Sequence, residues 1–232
     1  MAQIKNILND NLFKILGLVL LFLLINFNQT LGMIYIFMLV LDWIMYNDDS
    51  FISLPEVNPG FSWGKSVLLA ALAYVGFLIV SSVVLQILSF IPGVGTNISL
   101  NSILSLINST TPVFSNSVIL SIIGWGILIP MVETNYFFGR VFEWLMDMYN
   151  VKIKPELTSG KIWAIMIVIA GTFALFHATA KGVNNPAALA VTAIFAVYSM
   201  WLILFTKELR TTVLLHVFTN LIAVLLNMGV IK

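Results

Sequence analysis

Runs of apolar residues recur along this chain at about the 20 residues needed to cross a hydrocarbon core. Cut at polar clusters, they fall near 12–27, 31–46, 65–91, 117–144, 161–180, 187–206 and 211–230. The composition agrees: 60% of the 232 residues are hydrophobic and 9% charged, against roughly 25% charged in an average soluble domain. So small a polar inventory could not cover the surface of a water-soluble globule. The expected fold is all-α, a polytopic membrane helix bundle of about 7 (6–8) transmembrane helices. One integral-membrane domain, 1–232, is expected, with 1–91 as variable N-terminal helices and 117–230 as the core. No internal repeat, low-complexity tract or separate soluble domain interrupts it.

Net charge is +1, which points to no nucleic-acid or acidic partner. Cysteine is absent, so disulfides, thiolate metal sites and a cysteine nucleophile are excluded. The first residues have a basic start and an apolar core but no small-residue cleavage pattern, and read as a retained first span. Asn-x-Ser/Thr triplets at Asn28, Asn97 and Asn108 read as chance in a chain rich in Asn and Ser. The uncharged loop around 92–116 is expected to be partly re-entrant or interfacial.

Lys and Arg concentrate in cytoplasmic loops of membrane proteins. With seven spans and the N-terminus inside, the cytoplasmic side collects Lys5, Lys14, Lys65, Arg140, Lys152, Lys154, Lys161, Lys207 and Arg210, leaving Lys181 and Lys232 outside. A multi-pass protein of the cell membrane with a cytoplasmic N-terminus is the expectation.

An ionisable side chain at the bilayer centre costs at least a few kcal/mol on insertion scales, so each one there is a functional-site candidate. The candidates are Glu133 and Arg140 in the fourth segment, His177 in the fifth, and His216 with Asn220 in the seventh. His216 and Asn220, four apart, share a helix face. Glu133 and Arg140, seven apart, would stand nearly in line about 10 Å apart on an α-helix. Phe173, four before His177, places a ring beneath the imidazole, and Pro130 can kink the helix beside Glu133. Taken singly, each has a plainer reading. Arg140 could form a solvated pair with Glu143, Asn220 could be interhelical glue, and His177 could cap a helix end. One acid and two imidazoles on three helices, with an amide at helical spacing, favour a shared site. Two His and one carboxylate (Glu133, His177, His216) could also hold a divalent metal such as zinc.

At these residues the chain resembles the CPBP (Abi) family of intramembrane CAAX prenyl endopeptidases and bacteriocin-processing or immunity proteins. "FALFH" (173–177) is similar to its Phe-x-x-x-His motif and "LLHVFTN" (214–220) to its His-x-x-x-Asn motif. The first motif, Glu-Glu-x-x-x-Arg, meets "PMVETNYFFGR", which keeps Pro130, Glu133, Phe137 and Gly139 in register. Thr134 replaces the second Glu, Phe138 occupies the Arg position, and Arg140 is displaced by two.

The resemblance, over about 117–230, implies an intramembrane glutamate-type endopeptidase acting on a hydrophobic or prenylated (CAAX-type) peptide. By it, Glu133, assisted by His177, activates a water, while His216 and Asn220 stabilise the oxyanion. Thr134, Arg140 and Phe173 are supporting. Thr134 and Phe138 cannot make the motif's Glu–Arg pair, and Thr134→Ala is expected to matter less than Glu133→Gln. Alternatives are a non-catalytic immunity or peptide-binding scaffold protein and a transporter or proton relay. No pair of broken helices of the transporter kind is evident. Expected partners are a hydrophobic or lipidated peptide and membrane lipids, with no nucleic acid. No Gly-rich phosphate loop or basic-aromatic patch is present, and no cofactor is expected.

Depth poses a problem for convergence. His177 lies about 24 Å along its helix from Lys161, but His216 only about 9 Å beyond Arg210. Straight, level helices would keep the two imidazoles apart.

Overall fold

The computed structural model describes residues 62–90, 100–109, 118–149, 160–180 and 183–231. The chain divides into two compact units, Met1–Glu56 and Val57–Lys232, and every described residue lies in the second. The spans expected at 12–27 and 31–46, and the reading of the N-terminus as a retained span, lie outside the described residues.

All described secondary structure is helical: α1 (Trp63–Leu88), α2 (Leu100–Ser109), a composite α3 covering 118–148, α4 (Gly160–Ala180), α5 (Pro186–Thr206) and α6 (Leu209–Asn227). Five of these six are long and apolar enough to cross a membrane. The chain is a polytopic membrane helix bundle. Its short helix α2 falls within the loop expected to be re-entrant.

α1 is apolar on every face, so polarity cannot choose its buried side; residue size does. Ser66, Ala70, Ala73, Phe77, Ser81 and Leu85 form one buried stripe, small enough in most places to let neighbouring helices close in. Leu68, Leu72 and Ile79 are exposed on other faces, as suits a helix solvated by lipid. The connection into α5 is set by Asn185, whose Oδ1 accepts from the Ala187 and Ala188 N–H groups, with Pro186 in the first helical turn where its missing N–H costs nothing. α5 ends at Lys207 in the left-handed conformation (φ 59), and α6 begins two residues later. α6 is the most buried of the spans, in contact with α1, α2, α3 and α5.

α3 changes winding along its length. Two π-helical stretches, Ile122–Leu128 and Thr134–Val141, flank a short α-helical segment, Ile129–Glu133. In the first stretch the Ile129 N–H bonds to the Gly124 carbonyl, five residues back. The next bond of that pattern would run from residue 130 to the Trp125 carbonyl, but residue 130 is proline and has no N–H. The second stretch corrects an expectation about register. A π turn holds more than four residues, so seven residues fall well short of two full turns. Arg140 is thereby rotated away from the in-line position above Glu133 that α-helical spacing predicts.

Candidate functional site

The described residues bring both imidazoles and the amide to one place. His177, His216 and Asn220 line a cavity of about 30 Å³ together with Thr192, Thr219 and the rings of Phe173 and Phe195. That is about the volume one water takes in the liquid. The depth problem is resolved by stagger. His177 sits near the end of α4 and His216 two turns into α6, so the two helices cannot start level. From residue 183 the chain enters α5 and passes the same cavity at Thr192 and Phe195.

Glu133, the last residue of the α-helical segment of α3, is 0% exposed. Its Oε2 lies 3.6 Å from Nε2 of His216, a residue that lines the cavity. On the other side of the ring, His216 Nδ1 lies 2.9 Å from Thr134 Oγ1. Neighbouring residues of α3 thus face both nitrogens of one imidazole on α6.

His177 is oriented within its own helix. Its Nδ1 is 2.9 Å from the Phe173 carbonyl oxygen, and a carbonyl can only accept. The proton therefore sits on Nδ1 in the neutral ring, and Nε2 keeps its lone pair. Chemically this leaves an acceptor nitrogen at the wall of a water-sized cavity.

Asn220 is placed by the winding of α3. Its Nδ2 donates to the Trp125 carbonyl at 3.2 Å, the acceptor whose π-pattern donor would come from Pro130. The approach is close because residue 126 is glycine: a Cβ there would stand 3.2 Å from Leu221 Cδ1 and 3.5 Å from Leu221 Cα. One amide hydrogen is committed to α3. An amide carries a second hydrogen and an acceptor oxygen.

Phe173 is the hub of the aromatic packing. Its ring centroid lies 4.5 Å from that of His177, edge-on, and 6.1 Å from that of His216. Phe137 and Phe138 pack on it at 5.1 and 5.0 Å. Phe138 is therefore a wholly buried ring between Phe173 and Phe195, in a pocket with no provision for the guanidinium of the resembled motif. Arg140 is only partly buried and lies on the second π stretch, beyond this aromatic layer.

Sequence reasoning missed Phe195, whose ring is 4.7 Å from that of His216, and Thr192 one turn before it. Small hydroxyls at helical spacing in an apolar helix, Thr192 and Ser199 on either side of Phe195, were the available signal. It also passed over Glu208, read as part of a polar turn. Glu208 is 1% exposed. Its Oε1 pairs with Arg210 Nη2, and its Oε2 accepts from Ser66 Oγ at 3.0 Å and Thr211 Oγ1 at 3.4 Å. The Arg210 guanidinium lies 4.7 Å over the Trp63 ring. This second polar cluster ties α1 to the α5–α6 turn. Beside it, burial pushes the Lys207 ammonium below its ordinary pKa.

Among the described residues no group of three His, Cys, Asp or Glu side chains is gathered that could hold a metal ion.

Against known proteins, residues 114–222 match the family model described as type II CAAX prenyl endopeptidase Rce1-like. That range contains Glu133, Thr134, His177, His216 and Asn220. Neither the curated proteins nor the solved structures compared with the chain match it.

Proposed function

Since residues 114–222 belong to the Rce1-like, type II CAAX prenyl endopeptidase branch of the CPBP family, a family of intramembrane endopeptidases, we propose that this chain hydrolyses a peptide bond in a hydrophobic or lipid-modified peptide within the bilayer. The observation that carries the reading is the meeting of His177, His216 and Asn220 at one cavity, with the buried Glu133 carboxylate 3.6 Å from His216 Nε2.

Each group has a role its chemistry can perform. Glu133, assisted by the lone pair of His177 Nε2, takes a proton from the attacking water and returns it to the leaving amine as the C–N bond breaks. His216 and the second amide hydrogen of Asn220 donate to the oxygen of the scissile carbonyl as negative charge develops there, where the surrounding rings exclude competing water. Phe173 holds the His177 ring and supplies the carbonyl that fixes its proton. The cavity as it stands admits a water but not a peptide. Phe77 of α1 and Ile107 of α2 line it beside the polar groups.

The test is cleavage of a panel of prenylated and unprenylated CAAX-type peptides by the purified protein in lipid nanodiscs. The cut position is read by mass spectrometry. Wild type should release the C-terminal fragment, and Asn220→Ala should lower turnover by about 10²–10³, the usual cost of one oxyanion donor. A wild-type protein that binds the peptides and cuts none of them supports the scaffold or immunity reading instead.

A further inference from the structure

Hydroxyls in these helices mostly turn back on their own chain. Ser82, Thr172, Thr179, Thr192, Thr206 and Thr219 each donate to the carbonyl four residues earlier, a common resting place for Ser and Thr within helices. Thr134 does otherwise. It is 0% exposed, and the hydrogen bond of its hydroxyl crosses from α3 to His216 Nδ1 on α6 at 2.9 Å.

A buried hydroxyl whose proton has no acceptor carries a full desolvation penalty. The group that the Thr134 hydroxyl meets is His216 Nδ1. We infer that Thr134 is a positioning residue that donates to His216 Nδ1 and so fixes this imidazole in the neutral tautomer with its proton on Nε2. The inference deepens the proposed hydrolysis and rests on it for its catalytic meaning, though not for the tautomer itself.

The two histidines then stand in opposite tautomers. His177 donates its Nδ1–H to the Phe173 carbonyl, which leaves Nε2 unprotonated in the neutral ring. His216 receives a proton at Nδ1 and presents an Nε2–H, which faces Glu133 Oε2 at 3.6 Å. A carboxylate oxygen opposite an N–H is attractive, whereas the same oxygen opposite a nitrogen lone pair is repelled. The geometry on both sides of the ring therefore agrees. While the hydroxyl donates to Nδ1, protonation there requires it to turn and accept instead. His216 is thereby held as a hydrogen-bond donor and kept out of the role of base, which falls to Glu133 and His177. Thr134, a departure from the resembled motif, becomes the residue that divides labour between the rings.

The chain has two histidines, which makes the test direct. Protein labelled with ¹⁵N in its imidazoles is examined by nitrogen NMR in nanodiscs near neutral pH, with His177→Gln and His216→Gln assigning the signals. Wild type should show His177 protonated on Nδ1 and His216 protonated on Nε2. Thr134→Val, which keeps the shape but removes the hydroxyl, should shift the His216 Nδ1 signal and mix its tautomers while leaving His177 unchanged. Thr134→Ser should restore the wild-type pattern. In the peptide assay Thr134→Val should lower kcat on the order of ten- to a hundred-fold, as loss of an orienting partner does, with KM little changed and rescue by Thr134→Ser.

A wild-type His216 protonated on Nδ1, or a His216 signal indifferent to Thr134→Val, overturns the inference. If Thr134→Val does not fold, the wild-type spectrum alone decides the tautomer, and Thr134→Ser must reproduce it. A wild type that cuts no peptide yet shows the opposite tautomers defeats the proposed hydrolysis and leaves the assignment to Thr134 standing. Cleavage with His216 protonated on Nδ1 does the reverse.

Discussion

Among the described residues two carboxylates are buried, and they are kept in opposite ways. Glu208, at the α5–α6 turn, faces the Arg210 guanidinium and accepts from Ser66 and Thr211. Glu133, on α3, faces an imidazole, at a separation beyond hydrogen-bond length. A guanidinium is charged at any accessible pH, so Glu208 has a fixed counter-ion, and its other oxygen accepts from two hydroxyls. Its work is to clamp α1 against the turn. An imidazole at 3.6 Å is a different kind of partner, charged only when protonated. Burial alone therefore does not mark a catalytic acid or base; the partner decides.

The comparison can be broken first at Glu208. Glu208→Gln leaves the Arg210 charge buried without its counter-ion, an error that typically costs about 3–5 kcal/mol. A large fall in melting temperature in nanodiscs, with turnover per folded molecule unchanged, is the expected result. Lost turnover without lost stability would show that Glu208 belongs to the chemistry.

Next in size is Pro130→Ala. It restores a backbone N–H in the position to serve the Trp125 carbonyl, in competition with Asn220. Releasing Asn220 from that bond should lower peptide turnover about ten-fold while stability changes by about 1 kcal/mol. An unaltered rate would show that the Trp125 contact does not position the amide.

Replacing the whole pair, Glu208→Leu with Arg210→Met, sharpens the point. A buried ion pair exchanged for apolar packing is often neutral or stabilising. The double variant should melt within about 1 kcal/mol of wild type and cut peptide at the wild-type rate. A double variant as unstable as Glu208→Gln would mean the cluster contributes more than neutralisation.

The smallest effect is expected at Lys207. Its φ of 59 lies in the left-handed region, where a side chain costs about 1 kcal/mol relative to glycine. Lys207→Gly should stabilise by about that amount near neutral pH. Burial lowers the folded-state pKa of this ammonium, so above that pKa the unfolded chain binds more protons than the folded one. Wild-type stability therefore rises with pH in that window, and the advantage of Lys207→Gly should shrink as alkaline pH is approached. A gap that widens there would contradict the burial of the ammonium.

How much of this was legible beforehand differs between the same two regions. The described spans begin and end within a few residues of the apolar runs, because lipid leaves the chain no other way to satisfy its backbone. The set His177, His216 and Asn220 was legible because polar groups on apolar helices have few other reasons to be there. Glu208 was not, since a charged residue in a turn looks solvated until Ser66 and Trp63, some 140 positions earlier, close over it. The winding of α3 was half legible. Pro130 announces a break in the hydrogen-bond pattern, but not that π turns on either side absorb it. That shift in register is why Arg140 does not stand above Glu133. Thr134 looked like a loss because the motif was read along one helix, whereas its hydroxyl acts across to another.

The most direct measurement is the rate of peptide cleavage by Glu133→Gln, per folded molecule, set beside its melting temperature. If Glu133 is the available carboxylate, the rate should fall by at least about 10² while the protein melts as wild type does or slightly higher. Undiminished cleavage by the amide variant would contradict the role given to Glu133, and a collapse in stability like that expected of Glu208→Gln would make the two carboxylates alike.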